Sequence, residues 1–153
     1  MPALTIWQPW ASLIFAGKTV ENRGWRPSEK LIGQRIAIHA GLTFEPVLDT
    51  SDLDEKFGRD YFTQAVNRCV AKYGRLPAGW PCGAVLGTVR LAGVIRPLPE
   101  GALEVETAND AAWWETDQFG WVLRDPIAFD APIPARGRQG IWMWDVPEGV
   151  DVG

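Results

Sequence analysis

The run "AVLGTVRLAGVIRP", from Ala84 to Pro97, constrains the fold more than any other stretch. In an extended backbone Val85, Gly87, Val89, Leu91, Gly93 and Ile95 share one face. A helix would scatter these residues around its axis, so the pattern calls for a strand with one buried side. Gly87 and Gly93 on that side predict a bend or a close backbone approach, as in a small barrel. Further strands are read at Ala3–Trp7, at about Thr19–Gly24, in "QRIAIHAG", in "FGWVLRDPIAF" and in "GIWMWDV". In "QRIAIHAG", Ile36 and Ile38 face one way, and Arg35, Ala37 and His39 the other. "DAPIPARGRQG" is read as the loop before the last strand.

Helical signals are fewer. Pro9 suits a first helical turn, where its missing N–H costs nothing, and Gly17 is a stop, which predicts a helix over Pro9–Ala16. Phe57, Tyr61, Ala65, Cys69 and Tyr73 recur at i+4 and predict a helix from about Asp52 to Tyr73, with Cys69 on its buried stripe. "ANDAAWWETDQ" is a short helix or irregular. The sum is an α+β chain: a small mixed β-barrel with a short N-terminal helix and inserted helices. One domain is expected over residues 1–147, with 148–153 as a flexible tail.

Composition narrows the function classes. The net charge is −4, so broad non-specific coating of nucleic acid is disfavoured; a nucleic-acid ligand would be met through a local patch or pocket. Nine Trp against two Tyr and six Phe supply many indoles, a residue type at home in cores and at pockets. Cys69, Cys82 and the single imidazole, His39, have no metal-site spacing, so no metal and no cofactor are expected. No apolar run reaches membrane-spanning length, and a cytoplasmic location without membrane contact is the expectation.

The densest collection of polar candidates is "LTIWQPWASLIFAGKTVENRGWRP", Leu4–Pro27. Alternation puts Thr19, Glu21 and Arg23 on one strand face, while Lys18 starts the strand and can swing. Glu21 and Arg23 either share a ligand or form a surface ion pair, worth about 0–1 kcal/mol. Gln8 sits where strand meets helix and offers both donor and acceptor, as a base edge requires. Trp10 is read as a pocket wall or a core residue, Trp7 as core or mixed, and Trp25 as a ligand contact. His39 points to solvent or to a pocket, where it could move a proton near neutral pH. Arg124, Arg136 and Arg138, with Lys18, Arg23 and Arg26, form either a basic rim or a solvated surface; the solvated reading is preferred for Arg138.

These residues resemble the N-terminal motif of ASCH domains, the activating signal cointegrator homology family. The match runs through Gln8-Pro9-Trp10-Ala11, then Gly17, Lys18, Glu21 and Arg23, then "IAIHA" at Ile36–Ala40. "PIPARGRQGIWMWDVP" is similar to the closing loop and strand of the group that includes the endothelial-overexpressed lipopolysaccharide-associated factor. The resemblance is weak between Phe44 and Trp80. It implies a PUA-like barrel and a cleft beside the first helix, lined by the Lys-x-x-Glu-x-Arg strand. The implied ligands are RNA, nucleotides or modified nucleosides.

Some family members hydrolyse N4-acetylcytidine with a Lys followed three residues later by Thr, plus a distant Glu. Here Glu21 stands at the Thr position, and Glu104, Glu106 and Glu115 are the distant candidates. The leading expectation is therefore binding through Gln8, Trp10, Arg23 and Trp25. The second is a hydrolase (an amidohydrolase on N4-acylcytidine-type nucleosides, or a ribonuclease) using Lys18, Glu21 and His39. The third is a protein-interaction module built on the tryptophans.

Overall fold

The computed structural model describes residues 1–45 and 59–153. Along these residues run β1 (Pro2–Gln8), α1 (Trp10–Ile14), β2 (Val20–Arg23), a 3-10 turn (Glu29–Leu31) and β3 (Arg35–Phe44). Then come α2 (Arg59–Tyr73), β4 (Ala84–Ile95), a second 3-10 turn (Glu100–Leu103), α3 (Ala108–Trp113), β5 (Phe119–Pro134) and β6 (Ile141–Met143). The start of the helix expected from Asp52 lies outside the described residues. No helix among the described residues is long and apolar enough to cross a membrane.

The strands form one six-stranded mixed sheet in the order β2-β5-β4-β3-β1-β6. Only β1 and β3 are parallel. The sheet curls enough that the Arg23 guanidinium of β2 donates to the Thr5 carbonyl of β1 at 3.0 Å, although β5, β4 and β3 lie between them in sheet order. Among the described residues no ladder joins β2 to β6, so the sheet is open at that seam.

Among the described residues three apolar clusters hold the domain. The first gathers Leu4, Ile6, Ile36, Ile38, Leu91 and Trp121 from four strands, with Ala11 and Ile14 of α1 against them. Each fully buried aliphatic side chain of this kind stabilises by about 1.5–3 kcal/mol. The second packs Phe62 and Ala65 of α2 and Trp113 of α3 against Val20 and Ile95. The third lies on the other sheet face, where Ala3, Ala37 and Val85 meet Trp144 near the C-terminus.

At five residues, α1 is too short to stand alone. The Gln8 side chain holds it: Oε1 accepts from the Ser12 N–H at 3.0 Å, and Nε2 donates to Ser12 Oγ and to the Pro81 carbonyl, each at 2.7 Å. It ends at Ile14, two residues before the expected Ala16, and the turn that follows reaches Gly17, whose φ of +123° is a conformation that L side chains rarely adopt.

Two expectations change in β4 and β5. Val85 does not share a face with Val89 and Leu91: His39 lies opposite Val85 and Ile38 opposite Gly87, so Leu86 is an extra residue that flips the alternation. The expected loop from Asp130 shortens to residues 135–140, because β5 runs on to Pro134. The close approach at Gly87 is present, as a Cβ there would lie 2.1 Å from the Ile127 carbonyl oxygen; at Gly93 a Cβ would meet nothing within 4 Å. In the segment read as a flexible tail, the Val152 carbonyl accepts from Arg35 Nε at 2.9 Å and from Thr88 Oγ1 at 2.7 Å.

Candidate functional site

The parallel pairing of β1 with β3 sets Thr5 beside His39. One alternation step along each strand, Trp7 and Gly41 follow on the same outer face. A Cβ on Gly41 would sit 3.2 Å from Thr5 Cγ2 and 4.0 Å from the Trp7 ring, so glycine there lets the indole lie against β3. These residues floor a groove of about 1160 Å³. Arg23 and Trp25 line it from β2 and the loop beyond, and Arg136, Gly137 and Arg138 line it from the β5–β6 loop. Trp7 is 55% exposed and Trp25 40%, while Trp80, Trp113, Trp114, Trp121 and Trp144 are buried.

The floor is a connected hydrogen-bond network. His39 Nε2–H donates to the Ala135 carbonyl at 2.7 Å, which leaves Nδ1 to accept from the Thr5 hydroxyl at 3.2 Å. The Trp142 indole N–H donates to the same hydroxyl oxygen at 3.0 Å. His39 is only 2% exposed, and burial lowers its pKa below the ordinary 6.5, outweighing the upward pull of the Ala135 carbonyl. At neutral pH this favours the neutral imidazole, with both nitrogens engaged, tying the arginine-bearing loop to β1 and β3. A Cβ on Gly137 would fall 2.5 Å from His39 Cε1, so only glycine lets the loop close over the ring.

Behind the groove lies a buried charge cluster. Glu21 Oε2 receives Lys18 Nζ at 2.5 Å, and Oε1 lies 3.3 Å from Arg23 Nε; the Lys18 and Glu21 side chains are 3% and 9% exposed. Arg23 reaches from this cluster into the groove. Lys18 itself borders a cavity of only about 60 Å³. Ligand pockets start at about 300 Å³. The carboxylate of Glu21 thus fixes Lys18 and aims Arg23.

The structure brings together Arg23, Trp25 and His39 at the groove, and joins Lys18 and Glu21 to it through Arg23. It does not bring Gln8 there: Gln8 is fully buried, its amide turned inward on Ser12 and Pro81. Trp10 packs on Phe62 with ring centroids 6.1 Å apart and donates its indole N–H to Glu45. Trp7, read as core or mixed, and Arg138, read as solvated surface, both line the groove. The signal for Trp7 was present in its shared alternation with Thr5.

Arg124 is taken elsewhere, by a two-pronged pair with Asp110 at 2.6 and 2.9 Å, and Arg26 pairs with Glu29. Of the distant carboxylates, Glu104 binds Arg96 at 2.5 Å, Glu106 is 3.8 Å from Arg124, and the Glu115 backbone N–H donates to Asn22. None of the three lines the groove. No family model matches the chain, and no curated protein matches it.

Proposed function

We propose that the chain is a PUA-like binding domain of the ASCH type that takes RNA, a nucleotide or a modified nucleobase in this groove. The observation that carries the reading is the lining. Two exposed indoles, Trp7 and Trp25, stand with three arginines, Arg23, Arg136 and Arg138, and among the described residues no Asp or Glu lines the groove. Indoles give flat surfaces for bases, and guanidiniums give forked donors for phosphate oxygens. In an acidic chain, three arginines gathered on one groove make a local site for an anion. The open sheet, curled until Arg23 of β2 bonds to Thr5 of β1, supports a barrel-like frame around it.

Binding is favoured over hydrolysis because Lys18 and Glu21 are spent on each other and His39 is neutral and doubly bonded. The test is titration of folded protein with uridine, cytidine, N4-acetylcytidine, AMP and short RNA, read by tryptophan fluorescence and calorimetry. Saturable binding weakened by Trp7→Ala and by Arg136→Ala is expected. Failure of every ligand to bind at millimolar concentration overturns the reading. Turnover of N4-acetylcytidine or RNA that is lost in Lys18→Ala and Glu21→Ala would move the assignment to a hydrolase.

A further inference from the structure

We infer that the groove continues past Trp25 into a second subsite, so that its ligand is a single-stranded oligonucleotide of at least two units rather than a nucleoside or mononucleotide. This rests on the reading of the first groove as a nucleotide site. A mononucleotide is a drug-sized molecule, and such molecules are enclosed by pockets of about 300–1,000 Å³. The first cavity, at about 1160 Å³, already exceeds that range. A second cavity of about 480 Å³ adjoins it, and the two share Trp25 and Gly140.

Trp25 is built as a fixed partition between them. Its ring meets Trp121 edge-on, with centroids 4.8 Å apart at 84°. Its carbonyl accepts the Trp121 indole N–H at 3.2 Å. Ring and backbone are both anchored, yet the residue stays 40% exposed, so a stacking platform is held out at little entropic cost. The passage beside it is bounded by Gly140, at φ +67°, where a Cβ would find no atom within 4 Å.

The second cavity suits a base with its phosphate. Leu31 and Ile141 line it together with Trp25, and among the described residues Lys30 is the one cationic residue of its lining. Lys30 is placed by the 3-10 turn, whose N-cap Ser28 accepts the Lys30 N–H at 3.3 Å. Among the described residues neither lining holds a carboxylate, while Arg23, Arg136 and Arg138 line the first cavity and Lys30 the second. A cationic track with aromatic platforms along it is how single strands are held without base-edge readout.

The experiment compares AMP, pApA and pApApA by calorimetry at one fixed salt concentration, on wild type and on Lys30→Glu. Lys30 is exposed and lines only the second cavity. Wild type should bind pApA about tenfold more tightly than AMP, within the range of one added base–aromatic stack. Lys30→Glu should weaken pApA far more than AMP and remove most of that gain. Equal affinities for AMP and pApA in wild type overturn the inference while leaving the first site standing. So does a Lys30→Glu variant that weakens both ligands alike. Absence of binding by all three overturns this inference and the reading beneath it together.

Discussion

Replacing Glu21 with Gln removes the one negative charge between two cations. In the structure Lys18 Nζ is 2.5 Å from Glu21 Oε2, and Arg23 Nε is 3.3 Å from Oε1. Arg23 keeps its bond to the Thr5 carbonyl and is partly open to water, so most of the cost falls on Lys18, whose side chain is buried. Stripping the partner from a buried charge costs about 3–5 kcal/mol. The exposure of Arg23 argues for the lower end, about 3 kcal/mol. For a chain of this size that lowers Tm by roughly 6–12 °C.

The control is Glu29→Gln in the exposed Arg26–Glu29 pair, expected to cost within about 0.5 kcal/mol. Urea denaturation followed by tryptophan fluorescence measures both, with the midpoint compared at constant slope. A double variant, Lys18→Met with Glu21→Leu, should recover much of the loss, because no unpaired ammonium is left buried. A Glu21→Gln midpoint no lower than that of Glu29→Gln would refute the claim that the cluster is a buried, mutually dependent set.

Because burial lowers the His39 pKa, the unfolded chain takes up the proton first as pH falls through the ordinary 6.5. His39 therefore contributes its full stability above that pH and loses it progressively as pH falls toward the lower folded value. Urea midpoints between pH 7 and pH 5 should fall more steeply in wild type than in His39→Gln; parallel profiles would contradict the neutral assignment. Asp110 stays out of this window: burial pushes its carboxyl up, but Arg124 and nearby hydroxyls outweigh that and hold it below the ordinary 3.8. If Arg136 and Arg138 contact phosphates, each Arg→Ala change should reduce the salt slope of RNA binding by about 0.7, whereas Arg124→Ala, away from the groove, should leave it unchanged.

Local pattern revealed the strands of this chain well. Alternation located β1, β3 and most of β4, and Gly17 marked the turn that follows α1. It missed the face switch in β4, because an extra residue at Leu86 leaves no mark in apolar content. It left the His39 side of β3 undecided between solvent and a pocket, and the structure makes it the floor of the groove. That side is covered by Trp142, Ala135 and Gly137, all roughly a hundred residues away, and alternation within one strand carries no information about them. Gln8 shows the opposite failure. An amide at a strand–helix junction looks free to read a ligand, yet a helix as short as α1 consumes it as a cap. Arg23 was found by spacing, but its direction depends on the curl of the sheet, which only tertiary packing sets.

The central claim is that ligand enters between Trp7, Trp25 and the loop 135–140, and not at Lys18 beside α1. Titration of the indole N–H resonances with pApA tests it directly, since all nine tryptophans report at once. The account predicts that Trp7 and Trp25 shift saturably while the buried Trp80, Trp113 and Trp114 do not. Shifts at Trp10 and Trp113, the indoles packed with Phe62 near α1, with Trp7 and Trp25 unmoved, would contradict it.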